Sequence, residues 1–195
     1  MLQRWRDGEA TAGQMLFRRH FESVYGFFAT KCPDLADELV QSTFMACLKA
    51  RDQFRGDASF RTFLFAIARN QLYTALDTRR RTAARLDYAI SSIAEIVTTP
   101  GTRLARDQEH RHLLEALQRL PVEQQTLLEL HYWQELDAVA LAEIFETNEV
   151  NIRQRLTRAR KAVREIVETT APSQALETLE SMDLWVKGFA PKARA

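Results

Sequence analysis

Apolar positions recur at helical spacing along most of the chain, and no alternating strand pattern competes with them. Met15 to Thr30 is apolar and aromatic at that spacing until Pro33 interrupts it. From Ala36 the run Ala36, Leu39, Val40, Thr43, Phe44, Cys47 and Leu48 predicts one buried helix face, with Asp37, Glu38, Gln41 and Ser42 on the opposite face. A loop over Phe54 to Ser59 precedes a longer helix whose stripe is Phe60, Phe63, Leu64, Ile67, Ala68, Gln71, Leu72, Ala75 and Leu76. Turn residues and weak periodicity then predict a flexible linker over residues 85–108, including Thr98-Thr99-Pro100-Gly101. Helical pattern resumes at Arg106 with Leu113, Leu114, Leu117 and Leu120, and Pro121 suits the first turn of a helix carrying Leu127, Leu128, Leu130 and Trp133. The fold class expected is all-α, with two small helical domains, residues 1–84 and 109–168, joined by that linker. A tail, residues 169–195, follows; its Leu176, Leu179, Met182 and Trp185 predict a short amphipathic helix.

Leu136 to Arg164 adds a chemical signal. A short helix with Leu141, Ile144 and Phe145 on one face, a turn at Thr147-Asn148 and a basic second helix read as a helix-turn-helix. Asp137 is expected to cap the first helix, Asn148 to take the left-handed backbone of the turn, and Glu149 to meet the positive end of the second helix. Between Asn151 and Glu165 that helix holds six basic residues against one acid, beside an apolar stripe of Ile152, Leu156, Val163 and Val167. Such density calls for phosphate or solvent. Asn151, Arg153, Gln154 and Arg158 lie near the helix start, and Asn, Gln and Arg are the side chains that read adenine and guanine edges.

Charge sharpens this picture. The chain of 195 residues carries a formal net charge of only +1, yet Arg51 to Arg85 holds eight arginines against three aspartates. Two basic islands in a near-neutral protein predict patchwise contact with nucleic acid that is weak without a partner. The start of the chain, with Arg4, Arg6, Asp7 and Glu9, lacks the apolar core of a signal peptide, and no run of eighteen apolar residues occurs, so a cytoplasmic protein without membrane insertion is expected. Cys32 and Cys47 are read as thiols rather than a disulfide, Cys47 lying on a buried face. The four histidines form no ligand cluster at metal spacing, and neither a glycine-rich phosphate loop nor a catalytic triad or carboxylate pair stands out. No metal, no cofactor and no enzymatic activity are expected.

Two blocks carry a resemblance. Glu38-Leu39-Val40-Gln41 and Phe44, followed by Phe54-Arg55-Gly56-Asp57, Phe60-Arg61-Thr62-Phe63-Leu64 and Ile67-Ala68-Arg69-Asn70, resemble region two of bacterial RNA polymerase sigma factors. Leu120-Pro121 with the helix bearing Arg153, Arg155 and Arg158-Ala159-Arg160 resembles region four. Two such regions with no domain between them resemble the extracytoplasmic-function group. The resemblance implies that Asp37, Glu38, Gln41 and Ser42 dock on the clamp helices of the polymerase beta-prime subunit, and that region four meets the beta flap. It implies a minus-ten site of Arg55, Gly56, Asp57, Ser59, Phe60, Arg61, Arg69 and Asn70, in which the loop Arg55 to Phe60 and Asn70 capture a flipped base while Arg61, Arg69, Arg79, Arg80 and Arg81 meet phosphates. It implies a minus-thirty-five site of Asn148, Asn151, Arg153, Gln154, Arg155 and Arg158 in promoter DNA.

The departures from the family pattern matter too. Leu35 replaces an acid and Ser42 stands where the family commonly has Glu, which weakens attraction to a basic clamp. Some groups of the family are thought to be switched by Ser/Thr kinases, and a phosphate on Ser42 or Thr43 would add nearly two negative charges. Thr43 lies on the buried stripe, which favours Ser42; control by an anti-sigma factor is the competing expectation. Glu135 stands where the family often has Gly, and Asn151-Ile152 where it often has Thr-Val, so no promoter sequence can be borrowed. Two other readings remain open: a stand-alone helix-turn-helix regulator that binds duplex DNA as a dimer, and a helical interaction protein that uses its tail.

Overall fold

A computed structural model describes residues 1–54, 56, 58–87 and 115–170. Arg55, Asp57, residues 88–108 of the expected linker and residues 171–195 of the expected tail lie outside the described residues. Residues 85–87, expected in the linker, and 169–170, expected in the tail, instead continue helices, because the backbone hydrogen-bond ladder runs on past the last residue of the apolar stripe. All regular structure among the described residues is helical. The first module comprises α1 (Leu2–Arg6), α2 (Ala10–Ala29), α3 (Ala36–Lys49) and α4 (Phe60–Asp87), with 3-10 turns at Pro33–Leu35 and Arg51–Gln53. A helical turn at residues 115–118 then leads to α5 (Val122–Tyr132), α6 (Ala138–Ile144) and α7 (Glu149–Thr170).

The helix α3 shows how the period sets burial. Each residue turns about 100° around the axis, so Leu39, Val40, Thr43 and Cys47 return to the face of Ala36, and all five are buried. Leu48 lies about 120° from Ala36 on the same wheel. It was expected inside and is instead 43% exposed, as is its neighbour Met45 at 49%. Among the described residues of α4 the buried apolar side chains are Phe60, Leu64, Phe65, Ala68 and Leu72, while Phe63 and Ile67 are only partly covered. Phe65 was not expected in the core; its ring meets Phe27 edge-on at 5.6 Å. The two cysteines are free and buried.

In the second module Leu117, Leu127, Leu128, Leu130, Leu141, Ile144, Ile152, Leu156, Val163 and Val167 form the core. Asp137 caps α6, its Oδ1 accepting from the Ala140 amide at 2.8 Å. The left-handed position in the following turn is Glu146 (φ 51°), not Asn148. Asn148 instead caps α7, its Oδ1 accepting the Asn151 N–H at 2.9 Å, and a cap residue needs an extended rather than a left-handed backbone. Glu135, at φ 52°, is the other left-handed non-glycine residue among the described ones.

The two modules dock. Helix α6 lies against α4, and at the far side Lys31, just past the end of α2, forms an ion pair with Glu129 of α5. These side chains are 1% and 2% exposed.

Candidate nucleic-acid interface

Helix α7 presents Arg153, Arg158, Lys161 and Arg164 to solvent, away from its buried apolar stripe. Asn151, Arg153, Gln154 and Arg158 are exposed, and Arg155 is half-exposed. Several cations are held by neighbours: Arg153 by Glu149 at 2.8 Å, Arg155 by Glu123 at 2.7 Å and Lys161 by Glu165 at 3.6 Å. Arg160 is turned inward, its Nε donating to the Tyr132 hydroxyl at 2.6 Å. Asn151 Nδ2 donates to Thr147 Oγ1 at 3.1 Å, which fixes the amide at the head of the helix. The solvent-exposed pairs are worth at most about 1 kcal/mol each, so a phosphate can displace their acidic partners at small cost. Val150, 60% exposed on the same turn, was not singled out from the sequence.

The second group sits at the loop before α4. Gly56 has φ 88°, a backbone that favours glycine. Ser59 caps α4: its Oγ accepts the Thr62 N–H at 3.0 Å and shares a hydrogen bond with the Thr62 hydroxyl at 2.8 Å. Phe60 is buried rather than open to a ligand, with His20 5.4 Å from its ring. Burial, reinforced by the charges of Arg61 and Arg19, lowers the His20 pKa and favours the neutral imidazole. Asn70 is exposed on α4.

Arg61 and Arg69, expected on a free surface, face the second module instead. Arg61 Nη2 donates to Gln134 Oε1 at 3.0 Å. The Arg69 guanidinium lies 4.8 Å from the ring centroid of Tyr73 and 4.8 Å from that of Phe145 at the end of α6. Burial lowers the Arg61 pKa, with Glu135 opposing the shift. The buried Nε atoms of both arginines have no protein acceptor among the described residues. Sequence spacing placed the two arginines on one helix but could not show what would cover them. Within the same basic island, Arg79 pairs with Asp34 at 3.2 Å and Arg81 with Asp77 at 3.0 Å.

A third surface lies on α3. Asp37, Glu38 and Gln41 are exposed. Beside them Gln41, Ser42, Met45, Ala46, Lys49 and Gln71 line a cavity of about 430 Å³. Thr43 is wholly buried and its hydroxyl donates to the Leu39 carbonyl at 2.7 Å, so Ser42 is the accessible hydroxyl of the pair.

The helical order has counterparts among known proteins. Residues 16–82 match the model of sigma-70 region 2 and residues 110–163 that of sigma-70 region 4. The RNA polymerase sigma factor CarQ of Myxococcus xanthus is 35% identical over 124 residues, 61% of this chain and 68% of CarQ. The RNA polymerase sigma factor YlaC of Bacillus subtilis is 30% identical over 151 residues, 74% of this chain and 86% of YlaC. The ECF RNA polymerase sigma-E factor of Haemophilus influenzae is 24% identical over 173 residues, 84% and 91% of the two chains. The fold is shared with the sigma factor RpoE of Bartonella quintana, solved with the anti-sigma factor NepR, at TM-score 0.67 and 22% identity over 81% of this chain and 98% of that one. It is shared too with CnrH, solved with the cytosolic domain of CnrY, at TM-score 0.62 and 21% identity over 87% and 96%.

Proposed function

The chain belongs to the extracytoplasmic-function group of RNA polymerase sigma factors, and from that membership we propose that it binds core RNA polymerase, directs it to a subset of promoters and helps melt the minus-ten element. The observation that carries this reading is the pairing of a capped, basic helix-turn-helix with a second helical module whose Arg61 and Arg69 are covered by it in the docked fold. Helix α7 would enter the major groove of the minus-thirty-five element through Asn151, Arg153, Gln154 and Arg158, with Arg155 on phosphate and Asn148 holding the helix start. The loop at 55–59 and Asn70 would hold the flipped base of the non-template strand, with Arg61 and Arg69 on its phosphates. Extraction costs a few kcal/mol of stacking, which enclosure and hydrogen bonds to the base edge offset. For that, Arg61 and Arg69 must leave Gln134 and Phe145. Their buried Nε donors would then gain phosphate acceptors, which favours the exchange.

Core polymerase would dock on the face of Asp37, Glu38, Gln41 and Ser42, where the exposed Met45 and Leu48 add apolar surface. In vitro transcription with purified core enzyme on genomic fragments tests the reading. A defined set of starts that needs the chain supports it; footprints on duplex DNA without polymerase, with core left inactive, would favour the stand-alone regulator.

Regulation has two candidate routes. A phosphate on Ser42 would restore the negative charge that the face lacks relative to the family, and Ser42 is the hydroxyl open to a kinase. Core affinity that rises in Ser42→Glu and is unresponsive to kinase in Ser42→Ala supports the switch, and equal affinity of all forms removes it. Capture by an anti-sigma factor is the second route, favoured by the shared fold with a sigma factor solved bound to one.

A further inference from the structure

The family match begins at residue 16, yet the structure ties the segment before it to the loop ahead of α4. Trp5 of α1 is 2% exposed. Its ring meets Phe60 edge-on at 5.3 Å, Phe54 at 6.4 Å and Phe17 at 6.4 Å. Phe54 and Phe60 are the two ends of the loop, so one indole braces both. A side chain cannot intervene between α1 and α2, because a Cβ on Gly13 would sit 2.8 Å from Trp5 Cδ1. The turn after α1 is fixed by Glu9, which forms an ion pair with Arg4 and accepts from the Thr11 hydroxyl at 2.7 Å. Arg6, the last residue of α1, is exposed and reaches the loop tip: a Cβ on Gly56 would lie 3.1 Å from Arg6 Nη1.

We infer that α1 is a wall of the minus-ten site, with Trp5 a positioning residue that holds the base-capturing loop and Arg6 a contact to the phosphate of the captured nucleotide. The inference rests on the base-capture reading above. It adds a ligand-facing cation and a brace from outside the matched region. Aromatic contacts at these distances and angles are the favoured edge-on and tilted kinds, so the brace is directional rather than a loose apolar fill. A guanidinium over a glycine in left-handed backbone meets no intervening side chain at Gly56, which lets a phosphate approach both the Arg6 cation and the Gly56 backbone.

Holoenzyme formed from core polymerase and the full chain provides the test. A non-template single strand is first selected from a random-sequence pool by the wild-type holoenzyme, and affinities are then measured for that strand and for copies carrying one abasic site. The wild type is expected to lose affinity sharply at one position. Trp5→Leu should shrink that penalty by about tenfold, the scale of one lost base contact, with core affinity unchanged, and Trp5→Phe should keep most of it. Arg6→Gln, a change at an exposed residue, should leave the penalty intact and lower the slope of log affinity against log salt by about 0.7. If the wild type shows the penalty while Trp5→Leu keeps it in full and Arg6→Gln keeps the salt slope, α1 has no part in the site. If the wild type shows no penalty at any position, the base-capture reading itself falls, and the wall with it.

Discussion

The ion pair of Lys31 and Glu129 offers a direct measure of what holds the modules together. Lys31 follows α2 and Glu129 lies in α5, so the pair exists only in the docked arrangement. Lys31 Nζ also donates to the Phe27 carbonyl at 2.9 Å and sits 4.1 Å from the centroid of the Phe27 ring. Glu129 accepts from Gln125 Nε2 at 2.9 Å and from the Thr30 hydroxyl at 3.1 Å. Burial lowers the Lys31 pKa, and Glu129 opposes that shift without cancelling it. Removing one partner strands the other charge in the docked state at a cost of about 3–5 kcal/mol, whereas the undocked state returns it to water. At about 1.4 kcal/mol per factor of ten, Lys31→Met or Glu129→Leu should weaken docking by roughly two to four powers of ten. The double variant removes both charges and their desolvation together, so it should dock as well as the wild type or better by about 1–4 kcal/mol. Small-angle scattering reads this as radius of gyration, expanded in each single variant and compact in the double. Single variants that stay compact, or a double variant as expanded as either single one, would refute the argument that this pair governs docking.

Other outcomes follow from separate features. Asn70→Ala is expected to leave core binding intact and to abolish most permanganate reactivity of promoter thymines, since the amide would bond to the edge of the extracted base. Burial pushes the Cys47 thiol up to about 12 from its ordinary 9.0, so it should resist a thiol reagent at pH 8 until denaturant is added. Between pH 9.0 and about 12 the unfolded chain releases a proton that the folded thiol keeps, so stability measured by denaturant titration should fall as pH rises through that window. Asn148→Ala removes the cap of α7 and should cost about 1 kcal/mol in the same titration, with Asn148→Gly costing only a few tenths. Glu135→Gly relieves a left-handed backbone worth about 1–2 kcal/mol against an entropic cost of roughly 0.5–1 kcal/mol, so the midpoint should stay the same or rise slightly.

Much of this architecture was readable in the chain because it is local. The spacing of Ala36, Leu39, Val40, Thr43 and Cys47 fixes one face of α3 whatever packs on it, and Asp137 three residues before Ala140 suffices for a cap. The errors arose where a local rule was extended too far. Leu48 failed because the three-and-one step drifts around the helix wheel, and Asn148 because capping and left-handed turns favour the same residue type. Trp5 stayed invisible, since a lone tryptophan in five helical residues has no period to mark it. The docking contacts were beyond reach for another reason. Lys31 and Glu129 are 98 residues apart and each reads as an ordinary surface charge until the modules meet.

That last point alters what the basic islands mean. From charge alone the arginines near α4 and those on α7 look equivalent, both waiting for phosphate. In the docked fold they are not. On α7 the cations hold exposed carboxylates, whose exchange for phosphate costs about 1 kcal/mol or less per pair. On α4, Arg61 and Arg69 are packed against Gln134 and Phe145, and freeing them means separating α4 from α6 and hydrating Lys31 and Glu129. The helix-turn-helix can therefore meet duplex DNA with little rearrangement, while the α4 surface becomes available only through undocking. A large partner that binds the two modules apart would supply the free energy for that step. If the chain binds promoters as proposed, weak affinity in isolation is then expected from the covered α4 face as well as from the near-zero net charge.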